Sequence, residues 1–366
     1  MREPVELRRQ RILAAVQARG TARVTDLAAE LEVSVVTVRR DVEELAREGR
    51  LRRGHGIAHS TLPAPDATED VTAPEGKETV VLVVPARHSY LYETLHGARP
   101  VLEEAGVRIA LHIAPQIAGA ERPLVERALA DGARGVLIAP RWRTLADEEA
   151  DAGWLCGLGV PTVLMERRPR PGSALHALDS VCTDHWYGAH LAVEHLVALG
   201  HRRIVFATRD DSPTARALRV ALTEIAGAHP KLDAWTLTLS SPGAGPVRTD
   251  GADRPAVDLP GVLRELDATA CVLHGDVDAL MLVQDLAVHG VRVPEDCSVV
   301  AYDDVVAALG STPLTAVSPP KGEVGRAAAE LLLHRLTDQR DAGTGPARRV
   351  ELLPELKVRG STRPLN

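Results

Sequence analysis

Aromatic residues are scarce: nine in 366, with a single phenylalanine among them. The cores must therefore be built from Ala, Val and Leu. No apolar run reaches 18 residues, the length a membrane-spanning helix needs, so no span and no membrane partner are expected. The opening stretch Met1-Arg2-Glu3-Pro4 has no apolar h-region, so export is not expected and a cytoplasmic location is. The four cysteines (Cys156, Cys182, Cys271 and Cys297) are far apart and form no C-x-x-C pair. They read as buried thiols in a reducing compartment rather than as a disulfide framework or a zinc site. Catalytic signatures are missing as well: there is no G-x-S-x-G, no G-x-x-x-x-G-K-[ST], no H-E-x-x-H and no intact G-x-G-x-x-G. His190 and His195, five residues apart on a helix, stand about 140° apart around its axis, a poor chelating pair. No enzyme activity, cofactor or metal is expected.

The apolar fraction of 45% and charged fraction of 25% are those of an ordinary globular chain, and 366 residues allow two or three domains. The net charge of −7 taken alone argues against a nucleic-acid partner, but it is unevenly spread. Residues 1–60 hold 12 Arg against 9 Asp and Glu, a balance of +3, while the remainder carries −10. A basic head on an acidic body points to a separate partner for each.

Residues 6–58 read as three short helices and a tight hairpin. Ile12, Leu13 and Val16 share one face of the first helix, with Gly20 near its end. Thr25 is the expected N-cap of the second, whose inner face is Leu27, Ala28 and Leu31. The turn Glu32-Val33-Ser34 leads into a third helix capped by Ser34, with Val35, Val38, Val42 and Leu45 as its buried stripe and Gly49 at its C′ position. Two helices joined by a three-residue turn form a helix-turn-helix, and the second fits a DNA major groove. Its outer face carries Val36, Thr37, Arg39 and Arg40. Thr37 suits a phosphate or a thymine methyl, and an Arg can fork onto guanine or clamp a phosphate. Arg50, Arg52, Arg53 and His55 then flank glycines in two extended arms, a wing for the backbone or minor groove. An Arg-rich solvated helix is the bland alternative; cap, turn, stripe and wing together favour DNA.

On these residues the head resembles the DeoR-type winged helix-turn-helix. The pattern runs Arg9-Gln10-Arg11-Ile12-Leu13, Leu27-Ala28, Val33-Ser34, Thr37-Val38-Arg39-Arg40-Asp41-Val42, Leu45 and Gly49, then Leu51, Arg53, His55-Gly56 and Ala58. Ile57 stands where that family usually has a second glycine, which stiffens the wing. The resemblance implies sequence-specific binding to double-stranded operator DNA.

Residues 59–78, with Pro63, Pro65 and Pro74 and no period, read as a flexible linker. From Thr79 to the end the chain alternates short apolar runs with amphipathic helices. Strands are expected at Val80–Val84, Arg108–His112, Gly135–Ala139, Thr162–Met165, Ile204–Ala207, Trp235–Leu239, Ala270–Leu273 and Ser298–Ala301. Helices are expected at Leu91–Ala105, Pro123–Asp131, Gly188–Leu199, Thr214–Ala228 and Ala279–His289, and an exposed loop at Gly243 to Pro255. Such alternation makes an α/β body of two doubly wound parallel-sheet lobes. Ligands in such sheets bind beyond the carboxyl ends of the strands. The residues there are His88, Tyr90 and Tyr92; Arg141, Trp142 and Arg143; Glu166 and Arg167; Asp184, His185 and Trp186; Asp276; and Asp303 and Asp304. Carboxylates, Arg forks and aromatic faces together suit a small polyhydroxylated ligand. Adjacent Asp303 and Asp304 point to opposite sides, so one of them is structural.

The body resembles the effector-binding domain of the LacI/GalR repressors, a periplasmic-binding-protein-like fold. The resemblance rests on Asp184 with Gly188-Ala189-His190-Leu191-Ala192-Val193-Glu194-His195-Leu196 and Leu199-Gly200-His201-Arg202-Arg203-Ile204. It continues through Asp276, Ala279-Leu280, Val293-Pro294-Glu295-Asp296, Ser298-Val299-Val300 and Tyr302-Asp303-Asp304 to Pro313-Leu314-Thr315-Ala316-Val317, Gly325-Arg326-Ala327-Ala328 and Leu353-Pro354-Glu355-Leu356. It implies ligand contacts at Arg167, Asp184 and Asp276, an aromatic platform at Tyr90, and a central arginine at Arg216 or Arg219. Gly275 replaces the Asn common before Asp276, and Ser89-Tyr90-Leu91-Tyr92 replaces the usual first-strand run. LacI/GalR repressors usually carry a helix-turn-helix of their own and a hinge helix, which this linker lacks, so the chain reads as a hybrid. The expected function is a ligand-responsive transcriptional regulator, a repressor of sugar or related genes, acting as a homodimer. A sugar-metabolising enzyme with a DNA-binding head, or a DNA-binding scaffold without ligand, are the alternatives.

Overall fold

The computed structural model describes residues 8–9, 12, 16, 21–30, 33–47, 51–54, 57–60, 78–85, 89–115, 117–240, 257–337 and 345–365. The chain divides into two compact units, Met1–Pro74 and Glu75–Asn366. The expectations for Leu13, Gly20, Leu31, Glu32, Gly49, most of the linker and the Gly243 to Pro255 loop lie outside the described residues.

In the first unit a short strand, β1 (Thr21–Arg23), leads directly into the Val24–Glu30 helix, and Val35–Arg47 forms the next. Strands β2 (Leu51–Gly54) and β3 (Ile57–Ser60) pair antiparallel with Gly54 opposite Ile57, and β1 adds to the other side of β3. The expected hairpin is thus the outer part of a three-stranded sheet in the order β1-β3-β2. The core is Ile12, Val16, Leu27, Ala28, Val38, Val42, Leu45 and Leu51, with no aromatic among them. Each Val, Leu or Ile among them, once buried, contributes about 1.5–3 kcal/mol. Two expectations are corrected. The second helix begins at Val24, so Thr25 lies inside it rather than capping it, and its hydroxyl turns to Asp26 at 3.2 Å. Val35 is 37% exposed, and the fourth buried member of the third helix is Asp41. That carboxylate accepts from Arg8 at 2.6 Å and Arg9 at 3.2 Å, so an apolar stripe read by spacing alone misses its charged member.

The second unit has two sheets. The first holds β4 (Thr79–Pro85), β5 (Arg108–Ala114), β6 (Gly135–Ile138), β7 (Thr162–Met165), β8 (Asp179–Thr183) and β14 (Arg349–Leu352) in the order β14-β8-β7-β6-β4-β5, all parallel. The second holds β9 (Arg203–Thr208), β10 (Ala234–Leu239), β11 (Ala270–His274), β12 (Ser298–Tyr302), β13 (Thr315–Ser318) and β15 (Glu355–Lys357) in the order β10-β9-β11-β12-β13-β15. Only the β13–β15 pair is antiparallel. Period-two alternation sends Val80, Leu82 and Val84 to one core and Val81 and Val83 to another. In the second sheet it separates Ile204 and Phe206 from Val205 and Ala207 in the same way. Sheets buried on both faces explain why the strands are continuous Val/Ile/Leu runs. The two-lobed, doubly wound architecture is the one expected.

The sheet orders show how the chain joins its lobes. It passes from the first to the second between β8 and the His185–Ala198 helix, and returns between β13 and the Lys321–Thr337 helix. It crosses again between β14 and β15. The returning helix packs against Ser89–Glu104 at two glycines. A Cβ at Gly97 would lie 1.8 Å from the Gly322 carbonyl oxygen, and one at Gly325 would lie 1.8 Å from that of Thr94. Only glycine admits backbones this close.

Candidate functional site

In the first unit Ser34 caps the Val35–Arg47 helix: its Oγ accepts from the Thr37 amide at 3.1 Å and bonds the Thr37 hydroxyl at 2.8 Å. The cap fixes the start of the helix one turn before Val38. Val36 is 74% exposed, and Arg39 and Arg40 are exposed beside it, so Val36, Arg39 and Arg40 present one open apolar and cationic face. Arg52 and Arg53 stand on β2, but their side chains, like all of Arg50 and His55, lie outside the described residues.

In the second unit the carboxyl ends of β6, β7, β9, β11 and β12 hold a polar cluster. Glu166, just after β7, is buried at φ +53. Its Oε1 accepts from the Thr183 hydroxyl at 2.9 Å, and its Oε2, which has no hydrogen-bond partner, faces His185 Nε2 at 3.6 Å. The other imidazole nitrogen of His185 is bonded to the Tyr302 hydroxyl at 3.0 Å. Glu166, Thr183, His185 and Tyr302 therefore form a chain from one lobe, through the first crossing, to the other. Burial holds the His185 pKa below that of a free imidazole. His274, at the end of β11, accepts from the Arg209 amide at 3.4 Å, and burial together with the Arg209 charge brings its pKa down to about 3.

Arg209 lies between two carboxylates: Asp211 takes it bidentately at 3.1 and 2.9 Å, and Asp278 stands 3.6 Å away. Burial pushes the Asp211 carboxyl up, but the bonds and charge of Arg209 outweigh it and hold it below the usual range. Asp303, at φ +71, behaves in the opposite way. Burial, with Asp276 and Glu166 nearby, outweighs Lys321 and Arg209 and raises its pKa to about 7. Its neighbour Asp304 turns away to Arg359 at 2.8 Å and Lys357 at 3.0 Å.

The other expected ligand residues are placed as follows. Arg167 is buried, donating to the carbonyls of Pro140, Glu166 (2.7 Å) and Ala139 (3.4 Å). Asp184 caps the His185–Ala198 helix through the Tyr187 amide at 2.9 Å. Oδ2 of Asp276 accepts from the amides of Val305 at 2.6 Å, Val306, and Ala307 at 3.1 Å, holding the loop that follows Asp303 and Asp304. Arg216 donates to the carbonyls of Trp142 at 2.8 Å and Arg143 at 2.7 Å, a link between the lobes. Arg219, the other candidate for that position, bonds Thr208 within its own lobe at 3.2 Å. Trp142 is sunk in the first lobe's core with its indole N–H on Asp151 at 2.8 Å, so its ring is packing rather than an open platform. Trp186 stacks on His190 and donates to Glu224 at 3.2 Å in a groove between two helices, apart from the polar cluster. Tyr90 and Tyr92 stand on the Ser89–Glu104 helix, with side chains outside the described residues, as is all of His88. Arg209, Asp211, His274 and Asp278 were missed, although they follow β9 and β11 at the carboxyl ends where the other candidates were sought. No group of His, Cys, Asp and Glu among the described residues could hold a metal ion, and no described helix is long and apolar enough to cross a membrane.

Residues 8–63 match the family model of the DeoR-like helix-turn-helix domain, and residues 193–362 that of the periplasmic binding protein-like domain. A DeoR-like helix-turn-helix head on a periplasmic-binding-protein-like, two-lobed body is the make-up of a ligand-responsive transcriptional regulator. Among its relatives is an arabinose metabolism transcriptional repressor of Geobacillus stearothermophilus, 27% identical over 355 residues, spanning 92% of this chain and 90% of that protein. The HTH-type transcriptional repressor PurR of Haemophilus influenzae is 31% identical over 213 residues, 56% of this chain and 58% of its own length. The fold is also that of a LacI family transcriptional regulator from Enterococcus faecium solved with bound ribose. That structure matches with a TM-score of 0.58 at 22% identity, over 79% of this chain and 100% of that one.

Proposed function

We propose that the chain is a dimeric, cytoplasmic repressor whose affinity for operator DNA is set by a small polar effector, a sugar or sugar derivative, held between its lobes. Residues 1–60 read the DNA, residues 61–77 tether and residues 78–366 sense; the tether expected at 59–78 is shorter because His59 and Ser60 pair within β3. Val36, Thr37, Arg39 and Arg40 of the Ser34-capped helix meet the major groove, and Arg50, Arg52, Arg53 and His55 meet the backbone or minor groove. A pseudo-palindromic operator requires two heads, hence a homodimer. The observation that carries the reading is the polar cluster itself. Buried Glu166 and His274 and half-buried Arg209, Asp211, Asp278 and Asp303 stand at the strand ends of the two lobes, a costly arrangement that serves a polar ligand better than a core. The arabinose repressor of similar length supports the sugar class. Lobe closure on the effector changes the spacing of the two heads, and so the operator affinity.

The test is operator binding by the full chain, measured by fluorescence anisotropy with and without sugars that raise its melting temperature. A stabilising sugar is expected to change operator Kd at least fivefold. Arg39→Ala is expected to lose about 1–3 kcal/mol of specific binding if it reads a base, and to weaken all sequences alike if it meets phosphate. An operator Kd unchanged at saturating sugar refutes the sensor; an Arg39→Ala protein that binds operator as well as the parent refutes the assignment of the helix.

A further inference from the structure

The loop between β6 and the Leu145–Cys156 helix is fixed at almost every residue. The Arg141 amide donates to Glu121 at 3.0 Å, and Trp142 is anchored by Asp151 at φ +26, a conformation that side chains rarely adopt. The carbonyls of Trp142 and Arg143 are both taken by Arg216. Thr144 then opens the helix through a capping box with Asp147. Strained backbone this heavily determined is characteristic of ligand clamps.

What the loop presents is charge. Arg141 and Arg143 flank the buried Trp142. Burial, and next the Arg143 charge, hold the Arg141 pKa below that of a free guanidinium. Arg143 makes no ion pair with any described residue, and its Nε is buried without a hydrogen-bond partner. The acid whose field it shares, Asp211 of the other lobe, is already committed bidentately to Arg209. A half-buried guanidinium without a counter-ion among the described residues carries a cost that an anion relieves. One strand away Glu166, 3% exposed, keeps Oε2 without a hydrogen-bond partner while Thr183 takes Oε1. Arg167 bridges the two strand ends through its bonds to Ala139 and Pro140.

We infer that the effector is a polyhydroxylated acid, its carboxylate or phosphate seated on Arg143 beside Arg141 and one of its hydroxyls donating to Glu166 Oε2. The inference rests on the cleft being the effector site. The Arg143 contact discriminates the acid from the parent sugar, since a neutral hydroxyl leaves the half-buried guanidinium uncompensated.

The experiment uses the full chain in calorimetric titrations and thermal shift, with arabinose, ribose and glucose, each beside its aldonate and its terminal phosphate. At least one acid is expected to bind ten or more times tighter than its parent sugar, an advantage that shrinks as salt rises; whether aldonate or phosphate wins identifies the anionic group. Arg143→Gln is expected to remove that tenfold advantage, about 1.4 kcal/mol. Arg143→Lys retains part of it, and an unchanged melting temperature without ligand shows that both variants fold. A neutral sugar that binds as tightly as its acids, or an Arg143→Gln protein that keeps the preference, overturns the inference and leaves the sensor intact. If no compound of either kind binds, the sensor reading falls as well.

Discussion

Replacing Asp303 by Asn exposes a titration that a neighbouring group conceals. In the folded chain the Asp303 carboxyl titrates near 7 rather than 3.8, and the His274 imidazole near 3 rather than 6.5. Between pH 4 and 7 the folded state holds a proton on Asp303 that the unfolded chain releases, so this group's contribution to stability falls as pH rises. Between pH 3 and 6.5 the unfolded chain protonates His274 and the folded chain does not, so that contribution rises with pH. Each full slope is about 1.4 kcal/mol per pH unit, and three units would total about 4 kcal/mol for Asp303. Asp303 keeps part of its surface in solvent, which screens the cost, and about 2 kcal/mol is the better figure. Across pH 4–6.5 the two slopes oppose, and the pair contributes a nearly level profile tilted upward by His274. Asp303→Asn leaves His274 alone: stability should climb by about 1 kcal/mol per unit through that window and exceed that of the parent above pH 7. His274→Gln leaves Asp303 alone, and stability should fall as pH rises to 7. Urea unfolding followed by tryptophan fluorescence reads this cleanly, because all four tryptophans (Trp142, Trp154, Trp186 and Trp235) lie in the second unit. An Asp303→Asn protein with the same pH profile as its parent would refute the raised carboxyl.

Three further outcomes follow from packing and capping. Gly325→Ala should destabilise the second unit by about 3 kcal/mol or more in thermal unfolding, because its methyl meets the Thr94 carbonyl, and a melting temperature within a degree of the parent would contradict that contact. Asp276→Ala should cost about 2–4 kcal/mol by stranding the amides of Val305, Val306 and Ala307, and hydrogen exchange should report the loss in residues 305–307 first. Ser34→Ala should cost about 1 kcal/mol of head stability and weaken operator binding, whereas Ser34→Asp should keep the cap; circular dichroism and anisotropy check both.

How much of this was legible in the sequence depended on how apolar each segment was. Thr162–Met165 is found to the residue, and the other seven expected strands differ by one or two residues at one end or by one residue at both. The Asp179–Thr183 strand was not seen, although every residue in it is buried. Its Asp179 is held by Arg335 at 2.7 and 2.9 Å and its Thr183 by Glu166, partners that lie far away in sequence. Thr315–Ser318 and the two short strands near the end are equally polar. The Leu145–Cys156 helix was hidden by its acidic face and is announced only by its capping box. In the cleft, ending β11 at Leu273 cost His274, and the residues after β9 were passed over, which cost Arg209 and Asp211. Trp142 was read as an open aromatic face because composition cannot tell a ring at a strand end from one turned into packing, whereas Trp186 is 43% exposed.

The three crossings between the lobes mean that neither lobe is encoded by one uninterrupted stretch of gene. A recombination breakpoint between residues 97 and 322 joins part of a lobe from one parent to part from another, and the mismatch falls on close-packed pairs such as Gly97 with Gly322 and, beyond residue 179, Asp179 with Arg335. The head, by contrast, is a continuous run ahead of the first body strand, and one breakpoint in the linker transfers it whole. A reader of one lineage on a sensor of another is the chimera that such an arrangement lets through, and the same asymmetry makes residues 61–77 the place at which to exchange the operator specificity of this regulator in the laboratory.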